Sequence, residues 1–246
     1  MRPFLRRGVT WLAAGLGLAA ATYAGYVGLT WYRYGDAARP RPEEEDALLD
    51  RFMPEYEVVE RHHIHVGAPA EVTLASAREV DLQGSGVIRS IIKARETILG
   101  ATPDDRQRPR GLLAETQSLG WGVLADVPGR EIVVGAVTRP WDADVKFIAL
   151  PADRFAAFAE PSFIKIVWTL RADPVGSATS VFRTETRAVA TDAFARAKFR
   201  RYWSLVSLGI WLIRRMSLGP LKSEAERRAG GVAGTREAEL KSWTNS

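Results

Sequence analysis

In the second half of the chain apolar and polar residues alternate. Within SFIKIVWTLRAD, Ile164, Ile166, Trp168 and Leu170 share one side, opposite Lys165, Thr169 and Arg171. Within TSVFRTETRAVAT, Phe182, Thr184, Thr186 and Ala188 oppose Arg183, Glu185 and Arg187. A period of two is the pattern of a strand, because successive side chains leave opposite faces. Pro174-Val175-Gly176 joins the two runs as a hairpin. One face is apolar with some hydroxyls and the other is charged, which predicts an antiparallel sheet covered on one side. GWGVLADVPGREIVVGAVTRP predicts another hairpin, turning at Asp126-Val127-Pro128-Gly129. VKFIAL (145–150) predicts a further strand, ADRFAAFAEP (152–161) a short helix stopped by Pro161, and Val58 to Val66 a first strand.

After Thr191 or Asp192, either of which can cap a helix, the period changes. In DAFARAKFRRYWSLVSLGIWLIRRMS, Phe199, Trp203, Val206, Ile210 and Ile213 recur at four and three residues, a core-facing helical stripe. Leu205, Leu208 and Leu212 widen it to roughly 200°, more than packing on one sheet face uses. Such a helix either grips a deep concave sheet or also touches lipid or the segment that opens the chain. Its uncharged run is too short to span a bilayer, and Gly219-Pro220 interrupts it before LKSEAERR. Two shorter helices are predicted upstream. One begins at Pro69 in GAPAEVTLASAREVDL. The other runs through 85–100 between an N-cap at Ser85 and a stop at Gly100, with Val87, Ile91, Ile92, Ile98 and Leu99 as its apolar set. Residues 101–110, ATPDDRQRPR, read as an exposed loop.

The opening segment follows neither pattern. Arg2, Arg6 and Arg7 precede an uncharged stretch from Gly8 to Tyr32, long enough as a helix to cross about 30 Å of hydrocarbon. Trp31 and Tyr32 lie where an interfacial belt would fall. The expectation is a single-pass transmembrane anchor at 1–34 in the inner membrane, with a signal peptide cleaved after Thr22-Tyr23-Ala24 as the alternative. Basic residues flank both ends, and the amino-terminal group tips the balance toward a domain outside the cytoplasm. Ala13, Gly17, Ala21 and Gly25 make a stripe of small residues that offers a face to a partner helix. Residues 35–55 read as a polar spacer holding a short helix from Glu43 to Phe52, and 229–246 as a mobile tail. A single domain, 56–228, remains.

Composition narrows the chemistry. The 246 residues are 46% hydrophobic, which is enough for a sizeable core. The absence of cysteine excludes disulfides, thiol catalysis and thiolate metal sites. The net charge is +5, but the basic residues are dispersed and often near acids, so nucleic acid is not the expected partner; a bilayer surface is. All three histidines, His62, His63 and His65, fall in the first strand. Alternation sends His63 and His65 to solvent and leaves His62 inside, and with no fourth histidine available a metal site is not expected. Trp141, in the loop TRPWDAD, sits where a cavity rim would be. No nucleophile elbow, phosphate loop or paired-carboxylate spacing occurs, so neither a catalytic residue nor a cofactor is assigned.

Three stretches carry a family resemblance: VVERHHIHVGAPAEVTLASAREVDL for strand into first helix, GREIVVGAVTRPW for the middle of the sheet, and FRTETRAVATDAFARAKFRRYW for last strand into long helix. Their order resembles the START-like (SRPBCC) helix-grip superfamily of lipid-transfer proteins, plant carriers of hydrophobic ligands and polyketide cyclase/dehydrase-like proteins. The resemblance implies an α+β helix-grip fold, in which a curved antiparallel sheet wraps a long C-terminal helix, here with an added transmembrane helix. It also implies an apolar small molecule or lipid held between sheet and helix. The residues expected to line that space are His62, Ile164, Ile166, Trp168, Leu170, Phe182, Thr184, Thr186, Trp203, Val206, Ile210 and Trp141. The leading expectation is a membrane-anchored, non-enzymatic binder. A cyclase- or dehydratase-type enzyme on a hydrophobic substrate and an interaction module with a filled core are its rivals.

Overall fold

The computed structural model describes residues 2–81, 85–102 and 109–244. Six antiparallel strands make one curved sheet: β1 (Val58–Val66), β2 (Gly122–Val127), β3 (Glu131–Thr138), β4 (Phe147–Ile148), β5 (Ile164–Pro174) and β6 (Ser180–Ala190). Their order across the sheet is β1-β6-β5-β3-β2, with β4 beside β3. The helices are α1 (Arg2–Arg33), α2 (Ala47–Asp50), α3 (Ala70–Glu79), α4 (Gly86–Leu99), α5 (Leu112–Ser118), α6 (Ala152–Phe155) and α7 (Ala193–Thr244). This α+β arrangement, a curved antiparallel sheet with a long C-terminal helix against it, is consistent with the helix-grip architecture.

Local chemistry places the boundaries. Ser85 caps α4 by accepting a hydrogen bond from the Ile88 amide, and Gly100 ends it in the left-handed conformation at φ 68°. Asp192 accepts from the Ala195 amide and starts α7. In the β2–β3 turn Gly129 takes φ 71° and the Arg130 amide reaches the Val127 carbonyl. Only two residues of VKFIAL pair as a strand, and α5 was not anticipated. In α4 it is Ile88 that is buried, whereas Val87 and Ile98 are exposed. Most of the loop expected at 101–110 lies outside the described residues.

Both faces of the sheet are covered, which corrects the expectation of one charged, open face. On the inner face Ile132, Val134, Trp168, Leu170 and Phe182 pack with Leu74 of α3 and with Leu218, Leu221 and Ala225 of α7. On the outer face Val133, Val137 and Val167 pack with Phe155 of α6 and with Leu49, Phe52 and Met53. Those last three belong to the segment read as a polar spacer. Its charges face outward or pair, while its few apolar residues fill the sheet's second surface. The charged outer positions of β6 are buried beneath it. Arg187, 1% exposed, donates to Glu185 at 2.7 Å, to Asp50 at 2.5 Å and to the Met53 carbonyl at 2.7 Å. Arg61 grips the same Glu185 with two bonds of 2.9 and 3.0 Å. Buried charges persist only when paired and hydrogen-bonded in this way.

Helix α7 runs unbroken through Pro220 to Thr244, so neither Gly219-Pro220 nor the residues read as a tail interrupt its backbone. Its wide apolar arc serves two neighbours. One side faces the sheet, and the other meets α1, which runs antiparallel to it. Tyr23 donates to the Leu205 carbonyl at 2.5 Å, the hydroxyls of Tyr26 and Ser207 meet at 2.9 Å, and Arg200 donates to the Trp31 carbonyl at 2.9 Å.

The transmembrane reading is corrected at the same point. Among the described residues no helix is long and apolar enough to cross a membrane. The 8–32 stretch lacks charges, but alanine, glycine, threonine and tyrosine dilute its leucines, and the hydroxyls of Tyr23 and Tyr26 make polar contacts with α7. Lack of charge and length alone are not sufficient apolarity. The single-pass inner-membrane localisation, and the side of the membrane inferred from it, are therefore withdrawn. Among the described residues, no atom lies within 4 Å of where a Cβ would stand at Gly17 or Gly25 of the small-residue stripe.

Candidate ligand cavity

Between the inner sheet face and α7, packing is incomplete. A cavity of about 220 Å³ opens there. Its floor is Ile166 and Trp168 of β5 with Thr186 and Ala188 of β6; its roof is Phe199, Tyr202, Trp203, Ile210 and Arg214 of α7. Trp121, Phe147 and Arg95 of α4 close the sides. Aromatic rings frame it: Trp121 lies 4.8 Å from Phe147 and 6.4 Å from Trp168, centroid to centroid. Rings brace one another at these separations, which keeps the walls from collapsing.

Two guanidinium groups reach this apolar space. Arg95 is held by its surroundings, donating to the Tyr202 hydroxyl at 3.0 Å and to the Pro140 carbonyl at 3.1 Å. Arg214 lies over the Trp168 ring at 5.8 Å and donates to Thr184 Oγ1 at 3.3 Å. Burial pulls its pKa down to about 10, against the attraction of Glu60, so it remains a cation at neutral pH. Glu60 is itself driven upward by burial and is lowered by Arg214. Thr186 Oγ1, also at the wall, is buried with no hydrogen-bond partner.

Of the twelve residues expected from sequence, Ile166, Trp168, Thr186, Trp203 and Ile210 line the cavity. Leu170 and Phe182 belong to the filled end of the inner core, against α3. Ile164 is packed with Ala188, Ala195 and Phe199, and Trp141 lies against that cluster rather than at the cavity wall. Thr184 serves as the acceptor for Arg214, and Val206 is half-buried outside the lining. His62 is inside the fold as expected, yet not at the wall: its side chain, 7% exposed, sits 3.6 Å from Glu60. His63 and His65 are exposed.

The arginines were missed, although the signal was present. Arg214 follows Trp203 by eleven residues and Ile210 by four, which places it on the same helical stripe. Arg95 follows Ile91 by four in the same manner. A charge that falls on an apolar stripe is a marker of a site, and neither arginine is among the residues expected from sequence.

Fold and site together define an α+β protein, consistent with the helix-grip architecture, with an apolar cavity between sheet and α7 that carries a cation. No family model matches the chain, and no curated protein does. Among solved structures, a hypothetical protein from Helicobacter pylori is similar at TM-score 0.38 and 6% identity, over 76% of this chain and 99% of that one. An aromatase/cyclase from Streptomyces is similar at TM-score 0.22 and 11% identity, over 69% and 94%. Norcoclaurine synthase from Thalictrum flavum, crystallised with dopamine and hydroxybenzaldehyde, is similar at TM-score 0.24 and 11% identity, over 70% and 97%.

Proposed function

We propose that the protein binds an apolar small molecule, a lipid or an aromatic compound, between its curved sheet and α7. The observation that supports this reading is the cavity itself. At about 220 Å³ it is larger than the roughly 150 Å³ that suffices to hold benzene inside a protein. A fold whose only task were to present a surface gains by filling such a space, since a void forfeits dispersion contacts on every wall. Aromatic and aliphatic walls with a few polar groups are the usual make-up of a small-molecule site.

A cyclase- or dehydratase-type enzyme is the second reading, prompted by the ionisable groups at the wall. The charged ones are both arginines, which orient or stabilise anions well but serve poorly as proton donors or acceptors near neutrality, and the Tyr202 hydroxyl beside them is engaged by Arg95. Binding is therefore preferred over catalysis.

The full chain is to be titrated with N-phenyl-1-naphthylamine, a neutral apolar fluorophore that brightens in dry sites. Saturable enhancement at one probe per chain is expected. Ile166→Trp, which fills the cavity floor from β5, should reduce it at least tenfold, and Ile210→Phe, filling from α7, should reduce it independently. No saturable enhancement, or enhancement untouched by both substitutions in folded protein, overturns the reading.

A further inference from the structure

We infer that the cavity takes an amphiphilic anion, an apolar body ending in one oxyanionic head such as a carboxylate or phosphate, and that Arg214 is the residue that binds the head. This rests on the cavity being a ligand site and goes further, because it fixes the chemical class of the ligand and its orientation.

The argument begins with donor capacity. A guanidinium carries five N–H donors in a planar fork suited to two oxygens of one anion. Among the described residues Arg214 makes one hydrogen bond, a long one of 3.3 Å to a neutral hydroxyl. Arg95, by contrast, is tied down by two bonds, to the Tyr202 hydroxyl and the Pro140 carbonyl, with the Tyr202 ring 5.7 Å away. Of the two cations at the wall, Arg214 is the less engaged and has the more donors to offer.

Charge gives the second line. The acid that faces Arg214 is Glu60, across the strand pair from Thr186. No carboxylate lies within salt-bridge distance of Arg214 among the described residues. Burial works against ionisation on both groups, downward for the arginine and upward for the glutamate. The site thus presents a partly desolvated cation with an incomplete counter-charge, which an oxyanion completes.

Geometry gives the third. Thr184 and Thr186 are two apart on β6, so both hydroxyls rise from the inner face beside Arg214. Thr184 takes the arginine's bond, and Thr186 Oγ1 is buried without a partner at the cavity wall. A head group on Arg214 meets that hydroxyl as a further donor. The apolar body then extends along Ile166, Ile210 and Trp203 toward Phe199. Trp168 lies under the guanidinium, its ring centroid 5.8 Å away.

Calorimetric titration of the full chain with three matched probes tests this: naphthalene-1-carboxylate, 1-naphthyl phosphate and naphthalene-1-methanol. At least one of the two anions is expected to bind tenfold or more tightly than the alcohol, and the one that does identifies the head group. Arg214→Met should bring anion and alcohol to within threefold, while Arg214→Lys retains part of the preference. Arg214→Gln serves as the neutral variant if the methionine form does not fold. Arg95→Met, which alters the cavity's side wall, is expected to change the three affinities alike and so keep the preference. Equal affinities for anions and alcohol in the unaltered protein overturn the assignment of Arg214 while leaving the cavity reading intact. A preference that survives Arg214→Met, or that disappears with Arg95→Met instead, overturns it equally. Binding of none of the three overturns both.

Discussion

His62 shows what burial does to a single side chain. Its Nε2 makes no hydrogen bond among the described residues, and desolvation, followed by Arg214, Arg215 and His63, lowers its pKa to about 4. In the unfolded chain the same ring protonates near 6.5. Between pH 6.5 and pH 4 the unfolded state therefore binds a proton that the folded state refuses, and stability falls as the pH falls. The loss is on the order of 2 kcal/mol across that window. Urea unfolding midpoints measured from pH 7 to pH 4 should drop less steeply for His62→Phe than for the parent; parallel curves contradict the placement. Glu131 pulls in the opposite direction. Burial and the neighbouring Asp46 carboxyl raise its pKa, so it folds protonated and costs stability as the pH climbs above the usual carboxylate range. Glu131→Gln should raise the thermal midpoint at pH 8 and leave it nearly unchanged at pH 4. Both residues stand at positions that alternation had identified as strand, yet their protonation depends on which neighbours cover them.

At the scale of elements, the segment from Asp46 to Glu57 carries the clearest consequence. Asp46 accepts from the Leu49 amide and caps the short α2, which turns Leu49 into the outer sheet face until it is wholly buried. Leu49→Ala should cost about 2–5 kcal/mol in chemical denaturation, as for other fully buried leucines. A cost below about 0.5 kcal/mol, the level of an exposed spacer residue, would contradict the second layer. In sequence these residues are sparse among prolines and acids, so a short helix from Glu43 to Phe52 could be read, of which Ala47–Asp50 is α-helical, but not the surface it covers. The strands and their hairpins were legible because alternation and turn residues are local. So were the ends of α4, because a serine cap and a glycine stop act within one turn. The pairing of α7 with α1 was legible only as an excess: an apolar arc wider than one partner needs.

For the whole molecule, the cavity lies between two filled regions. Toward the carboxyl end of α7, Leu218, Leu221 and Ala225 close the inner face against α3; toward its start, Phe199 packs with Ile164 and Ala195. A ligand that occupies the space between them binds only the folded chain. At a free concentration one hundred times its dissociation constant it adds about 2.7 kcal/mol to stability. For a protein of this size that corresponds to a rise of roughly 5–10 °C in the melting midpoint. N-phenyl-1-naphthylamine should produce such a shift in the parent protein and not in Ile166→Trp.

The amino-acid sequence by itself determined the longer strands, their hairpins, the capped ends of α4, the start of α7 and the inward side of β5 and β6. Each of these depends on spacing and caps that span only a few residues. Tertiary structure alone decided which inward residues meet empty space and which meet α3. It alone decided that the outer face is covered by the chain's own residues 46–57, and that α1 lies on α7. Those outcomes depend on which elements come together over distances of up to some 180 residues, as between Tyr26 and Ser207. A side-chain period reports the face on which a residue lies but not what stands opposite, and for this reason Arg214 could be read along the stripe of α7 yet understood only inside the cavity.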